Sequence, residues 1–235
     1  MLPAHSQRCG DNMAISLRAP KQGSVGIRLL DAQPHSLTEY LRKAHEFCTC
    51  VRFCADETIF NEGDPAEHVY KVQAGAVRLC RVRSDGRRKI VRFVLEGEFF
   101  GDMDRAHQNK SAQAIDGATV VSCPCSWLPR VADASPGLDE TSPLDGSLSA
   151  KLGWTAHERV AAFLVEMAVQ MDCVDGDTLQ LPMPLDDIAN YLDISAAAVW
   201  SETLQFKADG LIVALRPNRL LLRDLRALRA VAWGN

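Results

Sequence analysis

Eight cysteines give this chain its widest chemical repertoire, as nucleophiles, metal ligands or disulfide partners. Cys48, Cys50 and Cys54 recur at even spacing, which on a strand sets all three on one face. Cys123 and Cys125 flank Pro124. Neither group contains the CxxC pairs of a tetrahedral zinc site, and no metal is expected. The simplest reading is small buried or half-buried residues plus some free thiols, with a redox or iron–sulfur role as the alternative. Cys125 and His107 come nearest to a thiol–base pair, yet nothing in the sequence brings them together. They read as a half-buried thiol and a loop imidazole, so no enzyme is expected.

Composition narrows the classes further. The 235 residues carry 26 Lys and Arg against 30 Asp and Glu, a net charge of −4, so any basic footprint must be local. The hydrophobic share of 47% with 24% charged residues suits a soluble chain with a sizeable core. No apolar run approaches the ~18 residues of a membrane span. The first 26 residues lack a continuous apolar core and read as a loose tail, not a secretory signal. A reducing, cytoplasmic setting is the expectation.

Four segments follow from the patterning: a tail over 1–35, a β-rich region over 36–130, a linker over 131–154 and a helical region over 155–235. Short runs such as HVYKVQ, AVRLCRV and KIVRFVL are punctuated by Gly63, Gly75, Gly86, Gly97 and Gly101. Ser84–Gly86 is a hairpin signal, because glycine reaches positive φ cheaply. Regular short strands of this kind predict a small sandwich or barrel. In the linker, Ser142–Pro143 fits a helix start, with Leu144, Leu148 and Leu152 on one face. Thr155 with Glu158 is a capping box, followed by Val160, Phe163, Leu164, Met167, Ala168 and Met171 at helical spacing. LQLP over 179–182 predicts an edge strand. Leu185, Ile188, Ala189 and Leu192 stripe a short helix. After the LDIS turn, Ser195 caps a second helix that buries Val199 and Phe206 and stops at Gly210. LIVAL, RPNR and LLLRD then make a hairpin, completing the layout of a winged helix-turn-helix.

The run ADETIFNEGDPAEHVYKVQAGAVRLCRVRSDGRRKIVRFVLEGEFFGD closely resembles the β-roll of the Crp/Fnr superfamily of bacterial transcription regulators. TAHERVAAFLVEMA and PLDDIANYLDIS resemble the first helices of that family's C-terminal domain, with wording nearest the FixK-type branch. The resemblance spans about Thr58 to Arg229. It implies an α+β fold: a cyclic-nucleotide-binding-type β-roll (a double-stranded jelly roll), a connecting dimerisation helix and a C-terminal winged helix-turn-helix. It further implies a homodimer gripping a twofold-symmetric operator in double-stranded DNA, with RNA polymerase as a further partner and no membrane.

Three places depart from the family pattern. Cyclic-nucleotide binders carry a Gly-Glu pair and then an Arg-Ser pair. Here Gly97, Glu98, Gly101 and Asp102 are followed by Lys110 and Ser111, and lysine cannot form the planar two-bond clamp on a phosphate. Asp102 and Lys110 read more simply as solvated loop residues. Oxygen-sensing members hold an iron–sulfur cluster on an N-terminal cysteine triplet, whereas this tail has only Cys9. No cofactor is therefore expected. In the linker, Pro136 and Pro143 each cost ~3 kcal/mol inside a helix and break the expected dimer seam.

The third departure is the recognition helix, typically E-T-V-S-R in the family. Here Ala197 stands for the Glu, Ala198 for Thr, Trp200 for Ser and Ser201 for Arg, and only Val199 survives. Each lost base contact is worth ~1–3 kcal/mol of discrimination. Candidate DNA contacts are Ser195, Ala196, Ala197, Ala198, Trp200, Ser201 and Lys207, with Arg216 and Arg219 on the wing. Between Ser195 and Lys207 stand one acid, Glu202, and one base, and cationic density lies only later, through Arg216, Arg219, Arg223, Arg226 and Arg229. The last three read as a solvated helix face. Trp200 reads as a partly buried packing residue; exposed, it suggests a protein contact or a stacking platform. The expectation is a FixK-like DNA-binding regulator with altered or weakened operator recognition. The alternative is an interaction protein on the same fold, forming mixed dimers or docking through Trp200, and a ligand sensor ranks last.

Overall fold

In the computed structural model, residues 48–102, 105–125, 153–216 and 218–234 are described. The tail, Cys9, and the linker with Pro136, Pro143 and the expected dimer helix lie outside them.

Alternating side chains build the first half into antiparallel strands β1 (Thr49–Phe53), β2 (Thr58–Phe60), β3 (His68–Val82), β4 (Arg88–Val94), β5 (Phe99–Phe100) and β6 (Ser111–Pro124). Their order is β1-β6-β3-β4, with β2 paired to β6 and β5 to β3. Phe60, Val72, Val77, Leu79, Phe100 and Val120 fill the interior of this roll.

Two expectations change here. HVYKVQ and AVRLCRV are one continuous strand, not two. Gly75 sits inside it at φ +85, where the register with β6 shifts, and a Cβ there would lie 2.4 Å from the Gly117 carbonyl oxygen. The glycine is needed for this close backbone crossing rather than to end a strand. The cysteine expectation changes as well. Cys48 is disulfide-bonded to Cys123, which faces it across the β1–β6 ladder, and Cys54 lies beyond the end of β1, so the three do not share a strand face. Cys50 and Cys54 are exposed, and Cys80 is buried.

The second half contains α1 (Ala156–Gln170), β7 (Thr178–Gln180), α2 (Leu185–Leu192), α3 (Ala196–Ala208), β8 (Ile212–Arg216), β9 (Arg219–Leu222) and α4 (Leu225–Trp233). The capping box closes the start of α1 as the sequence predicts: the Thr155 hydroxyl accepts from the Glu158 amide, and the Glu158 carboxylate accepts from the Thr155 amide. LQLP supplies β7, the edge of a three-stranded sheet ordered β7-β9-β8. In α2 the stripe differs from the expected one. Leu185 is 37% exposed, and Tyr191 is buried beside Ile188, Ala189 and Leu192.

The two halves share a core. Along β3, five consecutive residues from Ala76 to Cys80 are buried, because both faces of the strand are covered. Val77 and Leu79 point into the roll, while Ala76 and Cys80 belong to the cluster built on the helices. Phe93, Phe163 and Tyr191 meet at that seam with ring centroids 5.2 to 6.2 Å apart. Among the described residues, no helix is long and apolar enough to cross a membrane.

Candidate nucleic-acid interface

Helices α2 and α3 form a tight pair around Asp193, which takes the left-handed conformation at φ 59. The Ser195 side chain then accepts from the Ala198 amide at 3.1 Å and fixes where α3 begins. Only Val199 and Phe206 of α3 are fully buried. They anchor the helix and leave a wide outer face.

That face carries Ser195, Ala197, Trp200, Ser201, Leu204 and Lys207. Ala196 and Ala198 are half-buried, so of the three alanines Ala197 is the most open to a base edge. Trp200 is 53% exposed, which corrects the reading of it as a packing residue. The helix's one acid is engaged internally: the Glu202 carboxylate bonds the His157 ring nitrogen of α1 at 2.7 Å. It locks α3 onto α1 and is turned away from a ligand in front of the helix. On the wing, Arg216 and Arg219 pair across the β8–β9 ladder and are both exposed. Arg223 precedes α4, and Arg226 and Arg229 lie on its exposed side, as a solvated face requires.

The effector-pocket remnant is tied into the roll. Gly97 turns the chain at φ +91, and the Glu98 carboxylate accepts from the Leu95 amide at 2.6 Å and from Arg92 at 3.2 Å. Gly101, at φ +104, lies where a Cβ would press the Tyr70 ring at 3.1 Å. Asp102 is not a solvated loop residue. Its carboxylate accepts from the Asn109 amide at 2.7 Å, and its own amide donates to Gln108. The Ser111 hydroxyl accepts from the Glu62 amide, and Lys110 is half-buried. These residues do not fit a cyclic nucleotide: Asp102, the acid offered to the ribose, is engaged with the Asn109 amide, and a lysine stands where the forked clamp belongs.

The sequence places the hairpin between β3 and β4 at Ser84–Gly86, but it does not show what its cations face. Its RSDGRRK segment brings Arg83, Arg87, Arg88 and Lys89 against the turn between α2 and α3, so cationic density does not begin only at the wing. Together they border a cleft of about 560 Å³ whose far wall is Ala189, Asn190, Asp193, Ile194 and Ser195. Four hydrogen bonds hold the wall in place. Asn190 accepts from the Ile90 amide at 2.7 Å and donates to the Arg88 carbonyl at 3.1 Å, completing the edge of β4 as a strand would. Lys89 donates to the carbonyls of Asn190 and Tyr191, at the negative end of α2. Burial pushes the Lys89 ammonium below its usual pKa, opposed by Asp193. The signal in the sequence was the clustering of four cations around one turn; its neighbour, about a hundred residues on, was invisible.

Comparison with known proteins agrees with this geometry. Residues 50–126 match the cyclic nucleotide-binding domain family, and residues 158–231 match the Crp-like helix-turn-helix domain. The chain is 31% identical to the nitrogen fixation regulation protein FixK of Bradyrhizobium diazoefficiens over 197 residues, 79% of this chain and 83% of that protein. It is 34% identical to FixK of Rhizobium meliloti over 180 residues, 74% of this chain and 82% of that protein. The solved structure of FixK2 from Bradyrhizobium japonicum superposes with a TM-score of 0.66 at 32% identity, covering 78% of this chain and 96% of that one.

Proposed function

Because the chain belongs to the Crp/Fnr superfamily of DNA-binding transcription regulators, on its FixK side, we propose that it works as a homodimer on a twofold-symmetric operator with weakened base reading. The observation that carries the proposal is the state of α3. Its frame is intact, capped by Ser195 and pinned by Val199, Phe206 and the Glu202–His157 bond. Its outer face offers Ala197 and Ser201 where the family places a glutamate and an arginine. Ser195 and Ser201 are left to donate to phosphate or base edges, Ala197 to meet a thymine methyl, and Arg216 and Arg219 to hold the backbone.

The proposed regulator acts in the cytoplasm, catalyses no reaction, meets RNA polymerase at its promoters and takes no small-molecule effector. Support for the last point is the engagement of Glu98 and Asp102 within the protein and the lysine at 110. Calorimetric titration with cyclic AMP is expected to give no saturable heat; a saturable isotherm would overturn it.

Fluorescence anisotropy with a FixK-type operator and a scrambled duplex, on a sample of measured mass, tests the main reading. A dimer preferring the operator at least tenfold, about 1.4 kcal/mol, supports it. Equal weak binding to both duplexes sinks it. The double substitution Ala197→Glu with Ser201→Arg restores two base contacts and is expected to raise the operator preference by tenfold or more. A second reading is favoured by one observation: Trp200 and Leu204, one helical turn apart, are 53% and 45% exposed. On that reading the helix docks another protein, and the operator preference is absent.

A further inference from the structure

We propose that Arg83, Arg87 and Arg88 of the β3–β4 hairpin are DNA-backbone contacts, so that the β-roll itself supplies the phosphate grip its recognition helix lacks. The proposal rests on the DNA-binding reading above. Three observations carry it.

The first is position. The cleft bordered by the hairpin cations has Ser195 on its other wall, and Ser195 is the cap of α3. In a helix-turn-helix the start of the second helix enters the major groove, so the backbone bordering that groove passes its cap. The hairpin tip stands beside that path.

The second is charge. The hairpin contributes Arg83, Arg87, Arg88 and Lys89 against Asp85, and Asp193 is the acid on the opposite wall. Arg83 meets Asp193 at 3.5 Å, with both side chains about half exposed, a contact that water weakens and a phosphate can displace. Arg88 bonds the neutral Gln113 amide oxygen and keeps its charge. Lys89 is committed to the end of α2 and is not counted among the contacts. On α3 itself Lys207 is the one base, in the last turn and far from the cap.

The third is rigidity. The bonds from Asn190 to both Ile90 and Arg88, and the buried pair Arg78–Asp187 at 2.6 Å, fix the hairpin relative to α2 and α3. A hairpin held in this way presents its cations without a backbone rearrangement on meeting a phosphate.

The test is anisotropy on the full chain across a series of salt concentrations, with operator and scrambled duplexes. Arg83, Arg87 and Arg88 are changed together to Ala, and Arg87→Ala alone serves as the variant with the least structural reach. Each lost phosphate contact lowers the slope of log affinity against log salt by about 0.9, and the dimer carries each position twice, so the triple variant is expected to lose about 5 and Arg87→Ala about 2. Both duplexes weaken equally, because phosphates carry no sequence. Lysine at all three positions restores the slope, which a purely structural role would not. An unchanged slope in both alanine variants overturns the proposal while leaving the DNA-binding reading intact. A wild-type chain that binds neither duplex overturns both.

Discussion

Arg78 shows how much one side chain can be asked to do. It is buried on the outer face of β3 and bridges Asp187 of α2, itself buried, to the mostly exposed Asp56. Burial alone would lower its pKa, and the bonds to Asp187 and Asp56 more than offset that, leaving it raised. Removing Asp187 takes away the buried partner of a buried guanidinium, so Asp187→Ala is expected to cost about 3 kcal/mol in urea unfolding. Asp56→Ala, at a solvated carboxylate, is expected to cost under about 1 kcal/mol. Equal costs would contradict this division. Glu158 is the acid-sensitive residue. Bonds from the Thr155 amide and hydroxyl hold its carboxyl below the ordinary value of 4.5. A depressed carboxyl contributes stability that is present above 4.5 and lost as pH falls through the lower folded value. Melting temperature measured from pH 6 to pH 3 is expected to fall along that branch, and Glu158→Gln to flatten it while preserving the cap.

At the scale of elements, β3 and α3 each obey a local rule and break it once. Strand β3 alternates as a sheet requires, yet runs through Gly75, where the backbone crosses that of Gly117 too closely for any side chain. Gly75→Ala meets both a positive φ and that carbonyl, and is expected to cost about 2 kcal/mol or more, read from denaturant midpoints. A loss within about 0.5 kcal/mol would show that the strand can relax around the bulge. Helix α3 has its cap, its two anchors and its stop where the sequence places them. Its outward residues were also legible as poor base readers. That Glu202 is engaged with His157 was not, because the two are 45 residues apart and belong to different periodic patterns.

Over the whole molecule, the roll and the helical domain are not two beads on a string. Phe93 from β4 packs on Phe163 and Tyr191, and the cluster continues to the wing strands and α4. One cooperative unfolding transition is therefore expected in calorimetry. Phe93→Ala, which empties the seam, is expected to cost about 3–5 kcal/mol and to separate the transition into two. A single sharp transition in that variant would mean that the seam does not couple the halves.

What the sequence determined by itself was everything carried by short-range pattern. The capping box at Thr155, the Ser195 cap, the Val199 and Phe206 anchors and the hairpin at Ser84–Gly86 each need only the next few residues, since backbone dihedrals and side-chain periods are local. The family also followed from ordered local motifs. Tertiary structure alone decided the pairings between distant segments: Cys48 with Cys123, Arg78 with Asp187, and the hairpin arginines with Ser195. β3 reads the same whether its outer face is wet or covered, because period-two alternation marks two faces without saying what packs on each. Only when the helices close over Ala76, Arg78 and Cys80 does a basic hairpin become a neighbour of the recognition helix.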